Sequence, residues 1–105
     1  MQAGNFLATV SGVVGGQRAI DYGDKTQNHE RIAHLWNMWM HETHGKSSGL
    51  VNDNHITAYD VAVMMLLLKI ARLMHSPGHT DTHIDIAGYA ACMEEISSAM
   101  AGDTE

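Results

Sequence analysis

Asp81 and Asp85 stand four residues apart, with Tyr89 four further on. On a helix this spacing puts all three on one face. Two neighbouring carboxylates repel each other unless a cation joins them. A hard divalent ion, Mg2+ or Mn2+, is one candidate, because such ions choose carboxylate oxygen. Lys69 and Arg72, three apart in the preceding segment, are another. Either the carboxylates hold metal while the two cations hold phosphate, a division familiar in phosphoryl chemistry, or the four side chains make inter-helix ion pairs. Spacing alone leaves both open.

A second polar cluster gathers Arg18, Asp21, Tyr22, Asp24 and Asn28. Asp24 or Thr26 suits the N-cap of a following helix. Capping does not account for Arg18, Asp21, Tyr22 and Asn28 together. An arginine, an aromatic ring and a helix N-terminus in one place suit an anion that carries a flat base. A calcium loop is excluded, since the twelfth position from Asp21 is Ile32, where a glutamate belongs.

Other signals read as structural. The eight histidines form no HExxH pattern, and the single cysteine rules out a paired-Cys zinc motif. His75 is separated from His79 by Pro77-Gly78; His79 and His83 draw attention because they flank Asp81, and the rest read as surface residues. Gly45-Lys46-Ser47 lacks the earlier glycine of a phosphate loop, for Met40 stands there. Cys92 lies among apolar neighbours and reads as packing.

Four helices must position these groups, and no strand alternation competes with them. The first spans about 5–14, with Phe6, Leu7, Val10, Val13 and Val14 at helical spacing and Gly15-Gly16 as terminator. The second covers about 26–42, with Ile32, Leu35, Trp36, Trp39 and Met40 as its apolar stripe and Glu30, His34 and Asn37 elsewhere. A polar connection, 43–55, leads to a third helix with Thr57 as N-cap and Asp60 completing a capping box. Its body, Val61 to Leu68, is apolar on every face, which places it at the centre of a bundle or in a subunit interface. Pro77-Gly78 then forces a turn, making the third and fourth helices antiparallel neighbours. Thr80 or Asp81 caps the fourth, which runs to about Met100. Ala87, Gly88 and Ala91 give it a small-residue surface for close approach.

The chain reads as one all-α domain, 1–105, with 101–105 frayed; two cores would need more length. Its net charge of −6 opposes a duplex-nucleic-acid binder, which needs clustered Lys and Arg. The longest apolar run is far short of the ~20 residues of a membrane span, and no secretory signal is visible. A single cysteine suits a reducing compartment. The expectation is a cytoplasmic protein with no membrane partner.

The run Arg18-xx-Asp21-Tyr22-Gly23-Asp24-xxx-Asn28, then Asp60-Val61-Ala62, Lys69-xx-Arg72, and His79-x-Asp81-xxx-Asp85-xx-Gly88-Tyr89-Ala90 resembles a family of small phage and prophage proteins. That family is in turn similar to the MazG-type all-α nucleotide pyrophosphohydrolases. The resemblance implies a MazG-like four-helix bundle, dimeric or tetrameric, in a phage-infected or prophage-carrying bacterium. It implies hydrolysis of a (d)NTP to (d)NMP and pyrophosphate with Mg2+ or Mn2+. Asp81 and Asp85 would match the acidic motif as metal ligands, with Glu30 a third acidic catalytic residue. Lys69 and Arg72 would contact phosphate, while Arg18, Tyr22, Asn28 and Tyr89 would meet the rest of the nucleotide. The chain departs from the MazG pattern at two points: no Glu-xx-Glu pair precedes, and the later motif is Asp-xxx-Asp rather than Glu-xx-Asp. Two alternatives therefore stand beside hydrolysis. One is a non-catalytic nucleotide binder, such as a sponge for a host signalling nucleotide; the other is a structural, protein-binding helical module.

Overall fold

The computed structural model describes residues 1–16, 25–45 and 55–102. Within them the chain is all-helical, with α1 (Ala3–Gly15), α2 (Lys25–His44), α3 (Ala58–His75) and α4 (Thr80–Met100). The expected elements are present, each end within a few residues of its sequence-derived position. The connection 46–54 and the tip 103–105 lie outside the described residues.

Local chemistry explains the ends. A Cβ at Gly16 would run into the carbonyl oxygen of Gly12, so only glycine continues the chain comfortably where α1 stops. At the start of α3 the capping box forms as expected. The Thr57 hydroxyl accepts from the Asp60 amide at 3.1 Å, and the Asp60 carboxylate accepts from the Thr57 amide at 2.9 Å. Gly78, with φ +83°, takes the left-handed step that turns α3 into α4.

The N-cap of α4 is His79, not Thr80 or Asp81. Its Nδ1 accepts from the Thr82 amide at 3.3 Å and lies 2.9 Å from the Thr82 hydroxyl. The turn at Gly78 leaves His79 extended, with ψ 109°, so the helix begins one residue earlier than Thr80 as cap would require.

Helix α4 is the hub: α3 packs along it most extensively, α1 lies on it, and α2 touches both α3 and α4. Thr82, Asp85, Tyr89, Cys92 and Ile96 recur at three- and four-residue steps and form its inward stripe. The lower half of that stripe is core, where Cys92 and Ile96 bury against Ala62 of α3. A second cluster joins Ala33 of α2 to Ile56 and Val61, flanked by Ile32, Trp36 and Met65.

One helix face differs from expectation. On α2 the covered stripe is His29, Ile32, Ala33, Trp36, Asn37 and Met40, while Leu35 (58% exposed) and Trp39 (67%) face outward. Asn37 sets this rotation. Its side-chain amide donates to the Ile56 carbonyl at 2.8 Å, and its oxygen accepts from the Ile56 amide at 2.8 Å. On α3 the all-round apolar body is covered on one side only among the described residues, which sets aside a place at the centre of the bundle; Met64, Leu67 and Leu68 are exposed.

Gly88 faces α1, where a Cβ would find only Val14 Cγ2 at 3.9 Å, an ordinary contact. Gly88→Ala is therefore expected to stabilise the protein by about 0.5–1 kcal/mol through helix propensity. A raised melting temperature checks this. A fall would mean that α1 approaches α4 more closely than the geometry allows.

Candidate functional site

The upper half of the α4 stripe is polar where the lower half is core. Thr82 is buried, and Asp85 and Tyr89 are half-buried. Polar groups on an inward helix face need partners, because burial without them is costly. Lys69 of α3 supplies one: its Nζ lies 3.0 Å from Asp85 Oδ2, both side chains being largely covered. The groups read as phosphate contact and metal ligand thus meet each other. Asp81, one turn before Asp85, is exposed on the flank of the same helix.

Arg72, one turn beyond Lys69, reaches the other end of the stripe. It lines a shallow recess of about 170 Å³ with His75, Ser76, His79 and Thr82, where α3 hands over to α4. No carboxylate lines it. Arg72 has no ion-pair partner among the described residues. Because His79 Nδ1 accepts the cap bond, its ring proton sits on Nε2, leaving a donor for something outside the protein. The Pro77-Gly78 turn, which separates His75 from His79 in sequence, brings them to one rim. Neither histidine was marked as a pair by spacing, since a tight turn erases helical periodicity.

The start of α2 forms a second polar locality. Lys25 donates to the Val14 carbonyl at 3.1 Å, closing the C-terminal end of α1 with a cation. His29 is buried; its Nδ1 donates to the Lys25 carbonyl at 2.7 Å, and its Nε2 has no partner among the described residues. Asn28 beside it is half-buried, and Glu30 is exposed. Arg18, Asp21, Tyr22 and Asp24 lie outside the described residues. Sequence reasoning passed over His29 because a lone histidine within a polar run gives no sign of facing inward.

Glu30, Asp81 and Asp85 do not form a group able to hold a metal ion; no set of three or more His, Cys, Asp or Glu side chains does so among the described residues. The two aspartates suit Mg2+ only in the manner of an ion completed by water and substrate phosphate, which takes one or two carboxylates from the protein.

Cys92 is buried in the core. Burial pushes its thiol pKa above the ordinary value; nearby Lys25 opposes that shift and Glu95 adds to it. The neutral thiol is thus the folded form, and a slow reaction with Ellman's reagent is expected until urea is added. The raised value also fixes a sign. The stabilising contribution is full below the ordinary thiol pKa and is lost as pH climbs through the raised one. Rapid labelling of the native protein at neutral pH would contradict this assignment.

Residues 5–97 match the family model described as "Domain of unknown function (DUF6378)". The chain belongs to this family. It is similar to the Gene 55 protein of Mycobacterium phage L5, with 46% identity over 92 residues. The Gene 55 protein of Mycobacterium phage D29 is 32% identical over a stretch of the same length. Each match takes in 88% of this chain, whereas the chain spans about half the length of either relative, 52% and 53%. These similarities place the sequence in a family of phage proteins, in line with the family resemblance carried by its motifs. No solved structure matches it significantly. Among the described residues, no helix is long and apolar enough to cross a membrane.

Proposed function

We propose that this phage-family domain binds a nucleotide or another phosphate-bearing small molecule, with the phosphate at the α3–α4 corner. One observation carries the proposal: the recess there is lined by a guanidinium without an ion-pair partner, two imidazoles and two hydroxyls, with no carboxylate. Arg72, Ser76 and the two imidazoles can donate hydrogen bonds to anionic oxygen, while the Thr82 hydroxyl donates to His79 Nδ1 and holds that ring in place. They also surround the first turn of a 21-residue helix, whose dipole favours negative charge. From the recess the polar stripe runs along α4 through Asp85 to Tyr89, toward the start of α2 and Asn28. The remainder of a nucleotide would lie along that path beside Asn28 and Tyr89; Arg18 and Tyr22, expected at the same ligand, lie outside the described residues.

Hydrolysis is the fuller version of this reading and rests on the MazG likeness. There Asp81 and Asp85 would hold Mg2+ or Mn2+, Glu30 would be a further acidic group, and Lys69 would join Arg72 on the phosphates. The ion would supply charge neutralisation and a more acidic water for cleavage of a (d)NTP to (d)NMP and pyrophosphate. The Lys69–Asp85 pair favours binding without turnover, because the carboxylate nearest the phosphate path is already neutralised by the protein. A cytoplasmic setting inside the bacterial host belongs to the same proposal.

The test is a thermal-shift panel of phosphate, mono-, di- and triphosphates with and without Mn2+, followed by chromatography of every ligand that shifts the transition. Intact ligand recovered from a stabilised protein supports binding. Monophosphate and pyrophosphate would establish hydrolysis. Arg72→Ala is expected to weaken the best ligand at least about tenfold, the worth of ~1.4 kcal/mol. No shift across the panel would remove the nucleotide reading.

A further inference from the structure

We infer that the bare face of α3 is an isologous interface with a second copy of this chain, the two α3 helices crossing antiparallel. Asp60, Met64, Leu67, Leu68, Ala71 and His75 fall on one face by helical spacing, opposite the side that carries Ala62, Lys69 and the α4 contacts. That face is open. Met64 is 43% exposed, Leu67 55% and Leu68 50%, while Asp60, Ala71 and His75 are also exposed. Met74, 83% exposed, extends the apolar area at its edge.

The face is complementary to itself. Read from either end, the steps between these residues are the same, with the midpoint between Leu67 and Leu68. A two-fold axis at that midpoint sets Met64 against the partner's Ala71, Leu67 against the partner's Leu68, and Asp60 against the partner's His75. The large side chains thus meet at the centre and small ones toward the ends, with an acid opposite a base at each rim. Asp60 can serve both tasks, since its capping bond uses Oδ2 and leaves Oδ1 for a second donor.

Helix α2 carries a shorter bare apolar patch, Leu35, Met38 and Trp39. The longer charge-free run on α3 decides between them. His75 also lines the recess, so the two proposals share that residue, while the apolar centre of the face, Met64 to Ala71, lies outside the recess lining.

Size-exclusion chromatography with light scattering across a concentration series tests it. The 105-residue chain is expected at twice its 11.5 kDa mass or a higher even multiple. Leu67→Glu is expected to halve the assembly, because the two-fold places the new carboxylates side by side; circular dichroism verifies that the helices remain. Leu68→Cys should cross-link to its symmetry mate with a short bis-maleimide, and Glu94→Cys should not. A monomeric wild type at every concentration overturns the inference. So does a Leu67→Glu assembly of unchanged mass, or one that dissociates only on Met38→Glu.

Discussion

Asn37→Ala is expected to lower stability by about 2–3 kcal/mol, although Asn37 is a polar residue on a helix surface by composition. Both hydrogen-bonding groups of Ile56 end on this one side chain, at 2.8 Å each. Ile56 itself is buried against Ala33 and Val61. Truncation would remove two bonds and leave a peptide amide and carbonyl without partners in a covered place, and the desolvation cost dominates the loss. For a domain of this size such a change lowers the melting temperature by roughly 10–20 °C. Asn37→Asp should fare little better, because a carboxylate would accept from the Ile56 amide but face its carbonyl. Urea unfolding of the two variants checks both statements. A loss below about 1 kcal/mol would show that water replaces the side chain and that the approach to α3 is open to solvent.

Lys69→Met is expected to cost about 2 kcal/mol, between the value of an exposed pair and that of a fully buried one. The lysine and Asp85 side chains keep 16% and 26% of their surface, enough for partial screening and too little for free hydration. Removing the ammonium would leave the carboxylate on the inward stripe of α4 without this cation. Changing both, as Lys69→Met with Asp85→Leu, should recover part of the loss, since two apolar groups need no partner. Denaturant titration of the single and double variants measures this coupling. The same variants divide the roles of Lys69. A side chain held mainly for the fold changes stability and leaves ligand affinity nearly intact. One that leaves the pair for phosphate changes affinity while stability moves by less than about 0.5 kcal/mol.

The site was only partly legible in the sequence. Lys69, Arg72, Asp81 and Asp85 stood out as two cations facing two carboxylates, but four pairings were open. The rotation of α3 against α4 selects Lys69 with Asp85 and turns Arg72 to the recess. The recess itself depends on His75 and His79 meeting across a turn, a contact that no helical period announces. His79 as a cap was equally hidden, because imidazole accepts at Nδ1 only in one tautomer. Asn37 was placed off the covered stripe of α2, and His29 was left among the surface histidines. Their inward faces follow from contacts with Ile56 and with the turn at Lys25 that local spacing does not encode.

What the sequence determined by itself is what local forces decide. Four helices, the capping box at Thr57 and the turn at Pro77-Gly78 follow from interactions within a few residues and from the φ angles that Gly and Pro permit. Only the tertiary structure decided which faces are covered and which charges meet. An apolar arc on α2 or α3 is wider than one neighbour can cover, so periodicity identifies the residues eligible for burial, while packing against α4 chooses among them. Leu67 and Val61 are both apolar in sequence; one is open to solvent and the other wholly enclosed because α3 presents a single side to the other described helices.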